Sequence, residues 1–86
     1  MTTQGRRVYP HADGGLYLAE GDYGYDPRIG CWEVRPPGCH AGTIREHTIT
    51  EHEDGTITVS PSILLQDEQG TMIWHGFLER GVWRQI

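Results

Sequence analysis

The chain has no lysine and no asparagine, and its seven basic residues are all arginine. Folding has no use for that absence; it points to compositional bias in a GC-rich genome. Against 12 acidic residues the net charge is −5. That balance argues against non-specific nucleic-acid binding, which needs a dense basic patch. Cysteine is scarce too. Cys31 and Cys39 are too few for a disulfide scaffold, and the simplest expectation is two reduced, mostly buried thiols. No apolar run approaches the ~20 residues of a membrane-spanning helix, so no membrane partner is expected. The opening stretch MTTQGRRVYPHADGG lacks the apolar core of a signal peptide. The expected location is therefore the cytoplasm of a host cell, or a virion assembled there. Sustained 3.6-residue periodicity is missing from every window, so helix should be scarce.

What the chain does have is punctuation. Twelve glycines and five prolines in 86 residues suit short strands and many turns. The expectation is one mainly β domain over residues 1–86, with residues 1–5 loose. Its antiparallel sheet would form hairpins, a meander or a small barrel-like sandwich. The stretch from Gly55 to Ile86 holds two of the three tryptophans and the only phenylalanine, so it should form the core. Arg6–Tyr9 reads as a short strand stopped by Pro10, pairing back on Leu16–Leu18. Residues 20–30 read as an ordered surface loop. Cys31–Arg35 reads as a strand with Trp32 and Val34 on one face. Thr43–Thr50 and Thr56–Ser60 should pair across the turn Glu53-Asp54-Gly55, whose Asp-Gly is a strong hairpin signal, and bury Ile49, Ile57 and Val59. Pro61 should end that strand, leaving Ile63–Leu65 as a strand or a helical turn. Met72–Leu78 and Val82–Ile86 should form a hairpin closed by Glu79-Arg80-Gly81 as a type I turn with a G1 bulge. Both faces of Met72–Leu78 are largely apolar, which implies cover on each side, or on one side by a partner.

Chemistry is thinly signalled. Cys31, Cys39, His40 and His75 are candidate zinc ligands, but their spacings match no standard knuckle and none is favoured. His47 and His52 lie in an acidic strand. Ser60 or Ser62 with His75 has the residue types of a triad, without a nucleophile elbow. Cys39-His40 are sequence neighbours that extended backbone points apart. There is no phosphate-binding glycine motif. No enzymatic activity and no cofactor is therefore expected. Glu46, Glu51, Glu53 and Asp54 make either a solvated strand edge, where charge deters unwanted pairing, or an acidic contact surface for a basic partner. Tyr23, Tyr25 and Arg28 lie in the apparent loop, where tyrosine serves packing and partner contact alike.

From Gly55 onward, Thr56-Ile57-Thr58-Val59-Ser60-Pro61-Ser62-Ile63-Leu64 followed by His75-Gly76-Phe77-Leu78-Glu79-Arg80-Gly81 resembles a family of small uncharacterised phage and prophage proteins. With Cys39 upstream, the resemblance spans roughly the last 45 residues. It implies a small β-rich domain from a mobile element. In many such relatives paired cysteines and the hairpin histidine imply a metal site. Here one cysteine stands at Cys39, and Trp74 precedes His75 where a cysteine is common, which favours packed or hydrogen-bonded roles. The resulting expectation is an accessory protein that acts by binding another protein of host or phage, such as a host or defence factor it inhibits. Two alternatives remain: a virion component completed by neighbouring copies, possible as a homo-oligomer, and a degenerate zinc-binding module.

Overall fold

A computed structural model describes residues 2–86 of the chain. It contains nine strands, and no helix among the described residues, hence none long and apolar enough to cross a membrane. The strands are β1 (Thr2–Gln4), β2 (Arg6–Arg7), β3 (Asp22–Asp26), β4 (Cys31–Val34), β5 (Gly42–Ile44), β6 (Thr48–Glu51), β7 (Ile57–Gln66), β8 (Met72–Glu79) and β9 (Val82–Gln85). A five-stranded sheet runs β1-β9-β8-β7-β6, and a four-stranded sheet runs β2-β3-β4-β5. All pairs are antiparallel except β2 with β3. The chain passes between the sheets twice, at Gly5 and at the bend Arg45-Glu46-His47. Residues 2–7 and 42–51 thus act as two bent strands shared by both sheets. The result is a flattened, mainly antiparallel barrel, within the expected fold class.

The core lies between the sheets. Ile57, Val59, Ile63, Leu65, Trp74, Leu78 and Trp83 come from the larger sheet, and Tyr23, Val34 and Ile44 from the smaller. Trp83 is its pivot. Its ring stands edge-on to Trp74 at 5.5 Å and to Tyr23 at 6.5 Å, the arrangement aromatic quadrupoles prefer. Its indole Nε1 donates to the Gly21 carbonyl at 2.9 Å, joining the two sheets.

Several local expectations give way to tertiary pairing. Asp22–Asp26, expected to be loop, is strand β3. Its poor strand formers are outweighed by a four-residue ladder with β4 and by burial of Tyr23. Arg6–Tyr9 does not pair with Leu16–Leu18. The turn between them forms, with the His11 amide bonded to the Gly15 carbonyl at 2.8 Å, but the chain then diverges and Arg6–Arg7 pairs in parallel with Asp22–Tyr23. Thr43–Thr50 splits into β5 and β6 at the inter-sheet bend. Pro61 does not end its strand. β7 runs through it where the register with β8 shifts between Val59 and Ile63, and an interrupted ladder asks no amide of a proline. Thr2–Gln4, expected to be loose, pair with β9 as an edge strand.

The turn chemistry is also redistributed. Glu79 pairs with Val82, leaving Arg80 and Gly81 as a two-residue turn with φ of 46° and 76°. Two positive φ values mark type I′, which matches the twist of the flanking strands. The three-residue turn with a bulging glycine occurs instead at Glu53-Asp54-Gly55. There the His52 amide bonds the Thr56 carbonyl at 2.8 Å and Gly55 has φ 88°.

Outside the smaller sheet, residues 8–19 form a strap, with Leu16 buried against Gly24. Beneath it lies a carboxyl pair. In the β3–β4 register Asp26 faces Cys31 and Glu33 faces Gly24, so both carboxyls share one face with no side chain at Gly24 between them. Burial pushes the Glu33 carboxyl up, and a hydrogen bond to Asp26 and its charge act the same way. Burial also pushes Asp26 up, but bonds from the Arg28 amide at 2.9 Å and Nε at 3.4 Å, together with Glu33, hold it below the usual carboxylate range. Of the two carboxyls, Glu33 is therefore the one that holds its proton to the higher pH. A raised folded-state pKa gives stability that is complete below the unfolded value of about 4.3 and is lost as pH rises through the folded value. Glu33→Gln keeps a donor beside Asp26 without the charge. Its melting temperature should match the parent near pH 4 and exceed it at pH 8, as followed by circular dichroism; a constant difference at both pH values would show that Glu33 does not carry the proton.

Candidate binding surface

At one rim of the barrel the bent first strand, the β3–β4 hairpin and the β6–β7 hairpin converge on Arg7. The β3–β4 register sets Tyr23 opposite Val34 and Tyr25 opposite Trp32. The first pair fills the core, while the second reaches the rim, where Tyr25 meets Trp32 edge-on at 5.7 Å. Arg7 and Tyr9, two residues apart in extended chain, present side chains to the same side. The Arg7 guanidinium carbon lies 4.6 Å from the Trp32 ring centre and 4.8 Å from that of Tyr9, each contact worth about 0.5–1 kcal/mol. Its Nη1 donates to the Gly55 carbonyl at 3.0 Å and to Glu51 Oε2 at 3.3 Å. Arg7 is thereby a rigid internal tie, its side chain only 15% exposed. Around it the aromatic faces are open: Tyr9 is 60% and Tyr25 40% exposed.

The acidic hairpin stands beside this cluster. Glu51, His52, Glu53 and Asp54 line a shallow depression with Arg80. The Thr56 hydroxyl and amide donate to Asp54 Oδ1 at 2.6 and 3.0 Å, which holds its carboxyl below the usual range. His52 Nε2 bonds the Thr58 hydroxyl at 2.7 Å, and the Arg80 amide donates to the same oxygen. Among the described residues, neither Glu53 nor Asp54 forms an ion pair. Tyr25, Glu51, Glu53 and Asp54 thus share one rim, linked through Arg7.

The other residues singled out from sequence lie elsewhere. Tyr23 is 1% exposed and belongs to the core, where burial pushes its hydroxyl pKa up. Arg28 sits under the strap side of the smaller sheet, bonded to Asp26. Glu46 is in the inter-sheet bend, beside β5 and β7. The candidate metal ligands do not converge: Cys31 is buried, Cys39 half-buried, His40 exposed and bonded to the Ala41 carbonyl, and His75 bonded through Nε2 to the Ser62 hydroxyl at 3.1 Å. Among the described residues no group of three or more His, Cys, Asp or Glu side chains could hold a metal ion. Sequence reasoning missed Arg7, Tyr9 and Trp32. The i, i+2 spacing of Arg7 and Tyr9 was the available signal, but their partners lie 25 to 48 positions away.

No known protein family, curated protein or solved structure matches this chain. Fold and surface together define a small β-barrel-like domain with one aromatic and acidic rim.

Proposed function

We propose that the chain is a phage- or prophage-encoded accessory protein that binds another protein through this rim, such as a host or defence factor it inhibits, and performs no chemistry of its own. The observation that carries it is the pair of open tyrosines, Tyr9 and Tyr25, held in place by Arg7 and Trp32 beside Glu53, which forms no ion pair among the described residues. Rigid aromatics supply large contact area at small entropic cost. Exposed carboxylates add steering toward a basic partner.

The test is quantitative mass spectrometry of proteins captured from host lysate by the parent chain and by variants. Tyr9→Ala/Tyr25→Ala and Glu53→Arg remove surface while leaving the Arg7 bonds to Gly55 and Glu51, its contact with Trp32, and the Asp54 turn in place. Arg84→Ala, on β9 where Arg84 stacks on Phe77 and bonds Glu79, is the control. One captured protein should be lost from both rim variants, by about tenfold or more if either site contributes the 1.4 kcal/mol or more of a contact hot spot, and retained by the control. Equal capture by all four chains would sink the proposal.

A further inference from the structure

We infer that the free edge of β7 is a self-pairing site, at which a second copy of this chain adds its own β7 antiparallel to form a symmetric dimer. This goes beyond the rim, using a different surface. β7 pairs with β6 only over Ile57–Ser60. Over Ile63–Gln66 it pairs with β8 alone, so its other edge carries main-chain groups that no strand covers among the described residues. The geometry shows which groups these are. His47 Nε2 bonds the Ser62 carbonyl at 2.9 Å; His47 follows β5 at the inter-sheet bend, on the side away from β8. Two residues on, Leu64 turns its amide and carbonyl the same way. Its cross-strand neighbour His75 agrees, since the His75 carbonyl bonds the Ile86 amide on the far side at 2.9 Å. Leu64 and His75 therefore form the wide pair of the ladder, facing away from each other. The edge opens onto a depression flanked by Thr43, Ile44, Arg45, Glu46 and His47.

Natural proteins blunt such edges with charge, proline or brevity. Here Ser62-Ile63-Leu64-Leu65-Gln66 carries neither charge nor proline. By contrast β2 is two arginines, β6 ends in Glu51, and the uncharged β1 and β5 are three residues long. The segment is also self-complementary. Antiparallel pairing centred on Leu64 sets Leu64 against Leu64 of the second copy through two reciprocal amide–carbonyl bonds. Ile63 then faces Leu65 and Ser62 faces Gln66, like against like. The Leu64 side chain, 49% exposed, gains its twin as cover beside its cross-strand neighbour His75. Two-fold pairing closes on itself and leaves no further edge of this kind to propagate.

Sedimentation equilibrium of the full chain from micromolar to millimolar concentration tests this. The parent should move from monomer to twice its mass. Leu64→Pro removes the central amide, which β8 does not use; Leu64→Arg keeps the amide and sets two like charges at the two-fold axis. Both should stay monomeric with an unchanged circular dichroism spectrum, and the parent's Leu64 amide should exchange more slowly as concentration rises. A parent that remains monomeric to millimolar overturns the proposal. So does a dimer that survives both substitutions, or one that forms without slowing exchange at Leu64.

Discussion

Trp83→Ala is expected to be the most damaging single truncation, destabilising the chain by about 4 kcal/mol. A domain of this size holds only about 5–10 kcal/mol in total. The size of the effect follows from what Trp83 touches. It is 2% exposed, stands edge-on to both Trp74 and Tyr23, and carries the indole bond to Gly21 across the sheets. Alanine leaves a cavity that strand backbones on both sides cannot collapse into. Trp83→Phe separates the two contributions. It keeps most of the packing and loses the donor, while the Gly21 carbonyl still accepts from the Arg6 amide at 3.1 Å, so its cost should be only about 1–2 kcal/mol. Urea unfolding followed by tryptophan fluorescence reads both values. An alanine variant within about 1 kcal/mol of the parent, the effect of an ordinary substitution, would show that Trp83 is not the pivot.

That pivot explains which parts of the fold the sequence discloses. The alternation in Ile57–Val59 and in Trp74–Leu78 marks inward residues directly, because side chains two apart on a strand share a face. The same rule locates Trp32 and Val34. It fails for Asp22–Asp26, where two aspartates and a glycine hide a strand whose only strong core residue is Tyr23. The buried carboxylates there are satisfied by partners that local pattern cannot supply: Asp22 accepts from Arg6 Nε and Nη2 and from the Ala19 amide, and Asp26 from Arg28. It fails again at Pro61, because a proline breaks a ladder only where the ladder would have used its amide. The rim was half visible. Tyr25 and the carboxylates of the hairpin are surface residues by composition, but their common location depends on Arg7 reaching Glu51 across 44 positions. Tyr23, two residues from Tyr25 and of the same type, went to the core instead. Only the register with Val34 and Trp32 separates the two roles.

Gly5→Ala should be the second large effect, about 3 kcal/mol, although nothing in the glycine's own backbone angles demands it. Gly5 is the corner at which the first strand leaves one sheet for the other, its amide bonded to the Gly81 carbonyl at 2.8 Å. A methyl group there would lie 2.8 Å from the Gly81 oxygen, 2.8 Å from Trp83 Nε1 and 3.0 Å from the Gly21 oxygen. Two of these are main-chain atoms of turns that cannot shift without breaking their own bonds. Gly30→Ala is the instructive contrast. Gly30 has φ 70° but open space around it, so alanine there should cost only about 1–2 kcal/mol of left-handed strain. If the corner is crowded from three sides, Gly5 and Trp83 must be coupled. In a Trp83→Phe background the indole nitrogen is gone, and Gly5→Ala should cost about 1 kcal/mol less than in the parent, the non-additivity expected of residues in contact. Additive costs in that double-mutant cycle would mean that the two carbonyls alone exclude a side chain at Gly5, and that the indole does not help hold the corner.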